Sequence, residues 1–232
     1  EMPIASAQVK SSIIIAALAA NKKVTVIEKQ PTRNHTERML SYFNGDIHTE
    51  LHDLGNKITL MPSKLIPTKK YEVAGDFSSA SFLIVAGLIA KESNLLIKNV
   101  GLNSTRCGLI SVLRSMGAKI EIKNERLISN EEVGDILVVS SELHGIAISG
   151  DIIPNIIDEI PILSIAASFA KGETLITNAE ELRVKESDSL KAILDWLKKI
   201  NIHHEFFHYG IKIIGSSEDI SVMAEIDSHG DH

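Results

Sequence analysis

The chain has 232 residues, 44% of them hydrophobic, with 24 basic against 30 acidic side chains and a formal net charge of −6. That length and apolar content suit one large or two modest globular domains with a well-formed core. The acidic balance is spread along the chain, and no basic patch interleaved with aromatics supplies the footprint of a nucleic-acid binder. The one cysteine, Cys107, rules out a disulfide within the chain, which fits a reducing compartment. No signal peptide is visible, and the longest apolar runs, Ser12–Ala20 and Phe82–Ala90, are too short to span a bilayer. The expectation is a cytoplasmic protein with no membrane or nucleic-acid partner. Both ends read as cut: the chain enters an apolar helix pattern a few residues after Glu1-Met2-Pro3 and stops at Gly230-Asp231-His232.

In chain order, three copies of one unit emerge. Each opens on a small polar start followed by an almost wholly apolar, Ala-rich helix: Ala5–Ala20, Ser78–Ala90 and Asp158–Ala170. A helix apolar all round is expected to be buried on every side. A polar turn and a strand follow, at Val24–Ile27, Leu95–Ile97 and Thr174–Ile176. A polar loop comes next with a basic residue: Arg33, Arg106, then Arg183 and Lys185. An amphipathic helix completes each copy, at Thr36–Asn44, Ser104–Met116 and Ser187–Ile200, ended by Gly45, Gly117 and Asn201, residue types that tolerate a left-handed C-cap. Strand pairs close the copies, Lys119–Ile122 with Ile136–Val139 and His204–Phe207 with Gly210–Ile214. The fold class is therefore α/β (α+β), built of βαβαββ units around buried helices. The repeat of roughly 70 to 80 residues is too long for a solenoid. A boundary is expected near Ile66–Tyr71, giving an incomplete domain over residues 1–71 and a second domain over 72–232.

Four places are polar where the pattern expects otherwise. Ser6-Ala7-Gln8 opens the first apolar helix, where free N–H groups suit a phosphate and where an ordinary Ser N-cap is the plainer reading. Asp158-Glu159 opens the third, either as a proton acceptor with a shifted pKa or as a capping pair favoured by the helix dipole. Arg183, Lys185, Glu186 and Asp188 crowd a strand-to-helix junction, which fits an anionic ligand or a solvated helix start. Arg33-Asn34-His35 occupies the matching loop of the first copy. The histidines do not assemble a metal site: His48 and His52 are four apart, but the run lacks the Glu directly after the first His that a zincin needs. Cys107 reads as a small buried residue.

Six motifs occur in order: Ala5-Ser6-Ala7-Gln8-Val9-Lys10-Ser11, Arg33-Asn34-His35-Thr36-Glu37-Arg38-Met39-Leu40, Gly75-Asp76-Phe77-Ser78-Ser79-Ala80-Ser81, Ile157-Asp158-Glu159-Ile160-Pro161, Leu182-Arg183-Val184-Lys185-Glu186-Ser187-Asp188, and Gly230-Asp231-His232. With these the chain resembles the 5-enolpyruvylshikimate-3-phosphate (EPSP) synthases, over the middle and later part of a full member. The resemblance implies the enolpyruvyl-transferase fold, an inside-out α/β barrel of two domains, with residues 1–71 in the upper and 72–232 in the lower. It implies transfer of the enolpyruvyl group of phosphoenolpyruvate to the 5-hydroxyl of shikimate 3-phosphate. It also implies no metal and no cofactor, and a monomer at full length. By the same resemblance, Ser6, Ala7, Gln8 and Arg33 contact the substrate phosphate, and Gln8 also reaches phosphoenolpyruvate. Asp158 accepts the hydroxyl proton, Lys185 binds substrate and moves a proton, and Glu186 carries the proton for the methylene carbon.

One departure bears on activity. Ser189 stands where the family has an Arg that grips the phosphoenolpyruvate carboxylate, and loss of such a charge-assisted contact costs on the order of 2–5 kcal/mol. Together with family cations absent from the chain, it makes the isolated chain an expected non-catalyst. Two rival readings stand beside this one. The first is the UDP-N-acetylglucosamine enolpyruvyl transferase, which uses a reactive cysteine. Cys107, in Thr105-Arg106-Cys107-Gly108, does not match that loop. The second is a degenerate fragment that folds but does no chemistry.

Overall fold

The computed structural model describes residues 1–2, 6–66, 70–178 and 189–216, with Ser189 placed in its helix by its backbone alone. The chain divides into two compact units. One comprises Glu1–Ala74, Gly101–Thr105 and Glu125–Val133; the other comprises Gly75–Val100, Arg106–Asn124 and the chain from Gly134 on.

In the first unit, helix α1 (Ala7–Ala19) leads to strand β1 (Val24–Glu28), helix α2 (His35–Tyr42) and the hairpin of β2 (Ile47–His52) and β3 (Gly55–Leu60). β3 lies between β1 and β2, antiparallel to both, with Val26 opposite Ile58 and Ile47 opposite Leu60. Alternation along β3 turns Ile58 and Leu60 inward, where with Met2, Ile14, Val26 and Leu40 they form the core. α1 contacts β1 and β3. The expectation that α1 is buried on all sides is not met: Lys10 and Ile14 are its buried residues, while Val9, Ile13 and Ile15 are exposed. An apolar helix laid on a three-stranded sheet has one covered face, whatever its composition. α2 also ends differently from the expectation. Asn44 (φ 62°) takes the left-handed conformation, and Gly45 is instead needed because a Cβ there would press on the Leu40 carbonyl.

In the second unit, α3 (Phe77–Ile89) is followed by β4 (Asn94–Gly101) and α4 (Gly108–Ser115), then by β5 (Lys119–Ile128) and β6 (Glu131–Val139). These strands form a sheet in the order β4-β6-β5. β5 and β6 run far past the short strands expected, so that their connecting segment, Glu125–Val133, clusters with the first unit. The chain then forms β7 (Ala147–Ile148), α5 (Ile153–Ile156), α6 (Ile160–Ser168) and β8 (Gly172–Thr177). α7 (Ser189–Lys199), β9 (His204–Phe207) and β10 (Gly210–Gly215) complete it. The second sheet has the order β7-β8-β10-β9, with β7 parallel to β8 and the other pairs antiparallel. α6 contacts α3, α7 and β10 and is the most enclosed helix described: Ile160, Leu163, Ala166 and Ala167 are each fully buried. α3 buries Ile84, Val85 and Leu88 but leaves Phe82 and Leu83 exposed. Gly117 (φ 100°) and Asn201 (φ 58°) adopt the left-handed cap geometry expected of them after α4 and α7. Cys107 is half-buried ahead of α4, not fully buried as the sequence suggested.

No helix among the described residues is long and apolar enough to cross a membrane.

Candidate active site

In the first unit, Ser6 is the N-cap of α1 with extended backbone (φ −145°, ψ 115°), and its Oγ accepts from the Val9 N–H at 3.3 Å. The plain capping reading of Ser6 is therefore realised. Ala7 and Gln8 begin the helix, with Gln8 exposed and its amide oxygen 3.4 Å from Ser6 Oγ. One turn further, Lys10 is fully buried. Its Nζ stands 2.7 Å from Glu37 Oε1 and 3.1 Å from Glu28 Oε2. Glu28 ends β1 and Glu37 lies in the first turn of α2. Between them runs the segment that carries the half-buried Arg33. Thr32 Oγ1 donates to Glu28 Oε2 at 2.7 Å, and Asn56 Nδ2 donates to Oε1 at 3.3 Å. Ser11 Oγ and Thr36 Oγ1 meet at 2.7 Å.

Beside it lies a second polar cluster. Glu131 Oε1 is 2.7 Å from His35 Nδ1, and its Oε2 accepts from Asn103 Nδ2 at 3.2 Å. Asn103 also donates to Asn34 Oδ1 at 2.7 Å. Burial pushes the Glu131 carboxyl up, but the His35 contact, Asn103 and Arg38 outweigh it and hold it below the usual range.

In the second unit, Asp158 stands two residues ahead of α6, on the surface, and Glu159 directly precedes the helix, 3% exposed. They do not act as a capping pair: the N-cap position of α6 makes no side-chain cap bond. Glu159 Oε1 accepts a short hydrogen bond from Ser78 Oγ at 2.5 Å. Ser78 Oγ in turn accepts from Arg106 Nη2 at 2.6 Å. Arg106 Nη2 is also 3.4 Å from Asp76 Oδ1, and its Nη1 lies 3.9 Å from Asp158 Oδ2. Asp76 caps α3, accepting from the Ser79 N–H at 2.7 Å and the Ser79 hydroxyl at 2.8 Å. Burial raises its carboxyl, but the two Ser79 bonds, Arg106 and the Ser78 N–H prevail and hold it below the ordinary carboxylate range. The arrangement is a relay, Arg106 to Ser78 to Glu159, with Asp158 exposed beside the guanidinium. An exposed carboxylate can accept a hydrogen bond from a ligand hydroxyl.

Of the residues singled out from sequence, Ser6, Ala7 and Gln8 share one helix start, Arg33 lies on the neighbouring connection of the same unit, and Asp158 belongs to the second unit. Lys185 and Glu186 lie outside the described residues, as do Arg183, Asp188 and the Gly230-Asp231-His232 motif. No cluster of His, Cys, Asp and Glu suited to a metal occurs among the described residues, and His48 and His52 lie on strand β2. Sequence reasoning gave no role to Asp76, Ser78 and Arg106, nor to Lys10, Glu28 and Glu37. One signal was available for Arg106, which holds the repeat position of Arg33 and Arg183. Another was available for Lys10, the sole charge between Ala5 and Ala20.

An enolpyruvyl transferase from Streptomyces tendae shares this fold, with a TM-score of 0.62 at 16% identity over 88% of this chain and 46% of that one. The chain is thus built as an enolpyruvyl transferase is built. An EPSP synthase from Acinetobacter baumannii matches far more closely, at TM-score 0.90 and 43% identity over 99% of this chain and 52% of that structure. Residues 1–232 match the family described as EPSP synthase (3-phosphoshikimate 1-carboxyvinyltransferase). The 3-phosphoshikimate 1-carboxyvinyltransferase of Petrotoga mobilis is 51% identical over 230 residues, 99% of this chain and 52% of that protein. That of Hydrogenovibrio crunogenus is 43% identical over 100% of this chain and 52% of its own length. The chain belongs to the EPSP synthase family. It spans about half the length of the curated relatives it matches.

Proposed function

We propose that the chain supplies part of a 3-phosphoshikimate 1-carboxyvinyltransferase, acting on shikimate 3-phosphate and phosphoenolpyruvate. The observation that carries this reading is the family match along the whole chain, 1–232, joined to an exposed Asp158 held beside Arg106. In this reading residues 1–71 belong to one domain and 72–232 to the other. The α1 start at Ser6, Ala7 and Gln8, together with Arg33, receives the substrate phosphate, since helix N–H groups and a guanidinium both favour an oxyanion. Asp158 accepts the proton of the attacking 5-hydroxyl. Arg106 orients Asp158, acting through it and not on substrate. Lys185 and Glu186 handle the methylene proton. The oxygen attacks C2 of phosphoenolpyruvate as C3 gains a proton; the tetrahedral adduct then expels phosphate from C2 as C3 gives a proton back, which restores the enolpyruvyl double bond. Neither step requires a metal or an organic cofactor. The reaction belongs to the cytoplasm and to a full-length monomer.

Ser189 favours a narrower statement: with no guanidinium there for the phosphoenolpyruvate carboxylate, the chain alone binds shikimate 3-phosphate but does not turn over. Calorimetric titration with shikimate 3-phosphate, beside unphosphorylated shikimate, tests the first half. Binding of the phosphorylated ligand only, weakened by Gln8→Ala, is expected; equal response to both ligands overturns the assignment of the phosphate site. Phosphate release measured with both substrates tests the second half, and turnover by the chain alone refutes it.

A further inference from the structure

We propose that Lys10 is a positioning residue that sets the two pieces of the phosphate site against each other. The inference rests on the site reading given above. Lys10 cannot touch a ligand itself, because it is 0% exposed. It lies one turn after the helix start, its backbone N–H donating to the Ser6 carbonyl at 3.0 Å, so it belongs to the same turn as Ala7 and Gln8. Its ammonium reaches both ends of the connection that carries Arg33, Glu28 at 3.1 Å before it and Glu37 at 2.7 Å after it. Thr32 ties the interior of that connection to the same Glu28, and Ser11 meets Thr36 alongside. One cation thus pins the helix start and brackets the arginine segment.

Stability alone is a poor reason for this arrangement. One ammonium faces two buried carboxylates, and Glu37 Oε2 is buried with no hydrogen-bond partner among the described residues. Buried ion clusters seldom outdo well-packed apolar side chains, and their best-attested use is to fix one register. The rest of α1 carries no charge and is mostly apolar. What an apolar residue could not do is hold Ser6-Gln8 and Arg33 in one geometry. A phosphate shared by two chain segments requires that, because sites lose much of their effect when their parts drift by about an ångström.

The test compares the unaltered chain with Lys10→Met, Glu37→Gln and the double variant. Three quantities are measured: Tm, amide exchange of residues 29–36, and calorimetric Kd for shikimate 3-phosphate. In Lys10→Met, exchange across 29–36 is expected to speed at least about tenfold while the β2–β3 hairpin is unchanged, and Kd to weaken about tenfold or more. In the double variant Tm recovers toward the parent, because one buried charge is gone with its partner, yet Kd and exchange stay impaired. A purely structural role would restore all three together and would overturn the proposal. So would a folded Lys10→Met that binds within about twofold of the parent. Should Lys10→Met not fold, Glu37→Gln carries the same comparison through exchange and Kd. If the unaltered chain does not bind shikimate 3-phosphate, the phosphate-site reading fails. Exchange then decides Lys10 by itself: unchanged protection of 29–36 in the variants refutes the tie.

Discussion

Replacing Arg106 with Met tests the second-unit cluster most directly. The side chain is 15% exposed and meets Ser78, Asp76 and Asp158. The bond to Ser78 is short and charge-assisted, and continues to the buried Glu159, so its loss costs about 1.5–3 kcal/mol. The partner carboxylates are 56% exposed at Asp76 and 30% exposed at Asp158, and solvent screening holds each ion pair to about 0.2–1 kcal/mol. The expected destabilisation is about 3 kcal/mol, a fall of roughly 6–12 °C in Tm for a chain of this size. The relay makes a sharper demand than the total. Thermal unfolding of Arg106→Met, Ser78→Ala and the double variant should show the two changes to be coupled by about 1 kcal/mol or more, since the guanidinium and Glu159 share one hydroxyl. Additivity within about 0.5 kcal/mol would show that the guanidinium does not act through Ser78, and the reasoning would be wrong.

Acid should also act on this cluster. A carboxyl whose folded pKa is depressed contributes stability above its unfolded value, near 3.9, and loses it as pH falls through the folded value. Asp76 is such a group. Urea titrations from about pH 5 downward should show a smaller loss for Asp76→Asn than for the parent, and an identical loss removes Asp76 as a contributor. Ser189→Arg should tighten phosphoenolpyruvate binding about tenfold or more by restoring a bidentate cation, as read by calorimetry; an unchanged Kd means that the missing guanidinium is not what limits binding. Ile84→Ala, at 0% exposure, should cost about 2–5 kcal/mol in chemical denaturation, and a cost under about 1 kcal/mol would contradict its core placement. Gly215→Ala should be at least as damaging, because a Cβ there overlaps the Ala170 carbonyl, which cannot yield without moving the end of α6; soluble protein of parental Tm would show the close approach to be relaxed.

Much of this molecule was legible in order of residues. The Ala-rich apolar runs, the amphipathic segments after them and the alternating strand pairs are local patterns, and helices and strands impose those periods on any chain that buries one face. Hence α1, α3 and α6, and the β9–β10 hairpin, fall where the patterns place them. The family was legible too, because six short motifs keep their order. Burial was not. Three helices of similar composition have different fates: α6 is enclosed, α3 shows Phe82 and Leu83, and α1 covers little beyond Lys10 and Ile14. How many faces of an apolar helix are covered depends on its neighbours, and periodicity carries no information about them. The polar clusters show the same division. Asp158 could be named from its motif, but its link to Arg106 joins positions 52 residues apart, a separation equal to 158 minus 106. Nothing local in the apolar helix marks Lys10 as paired; Glu28 and Glu37 reach it only in space. Sequence alone determined which segments fold and to which family they belong, because those depend on local pattern. Tertiary structure alone decided which charges are buried and paired, because electrostatic partners are chosen in space.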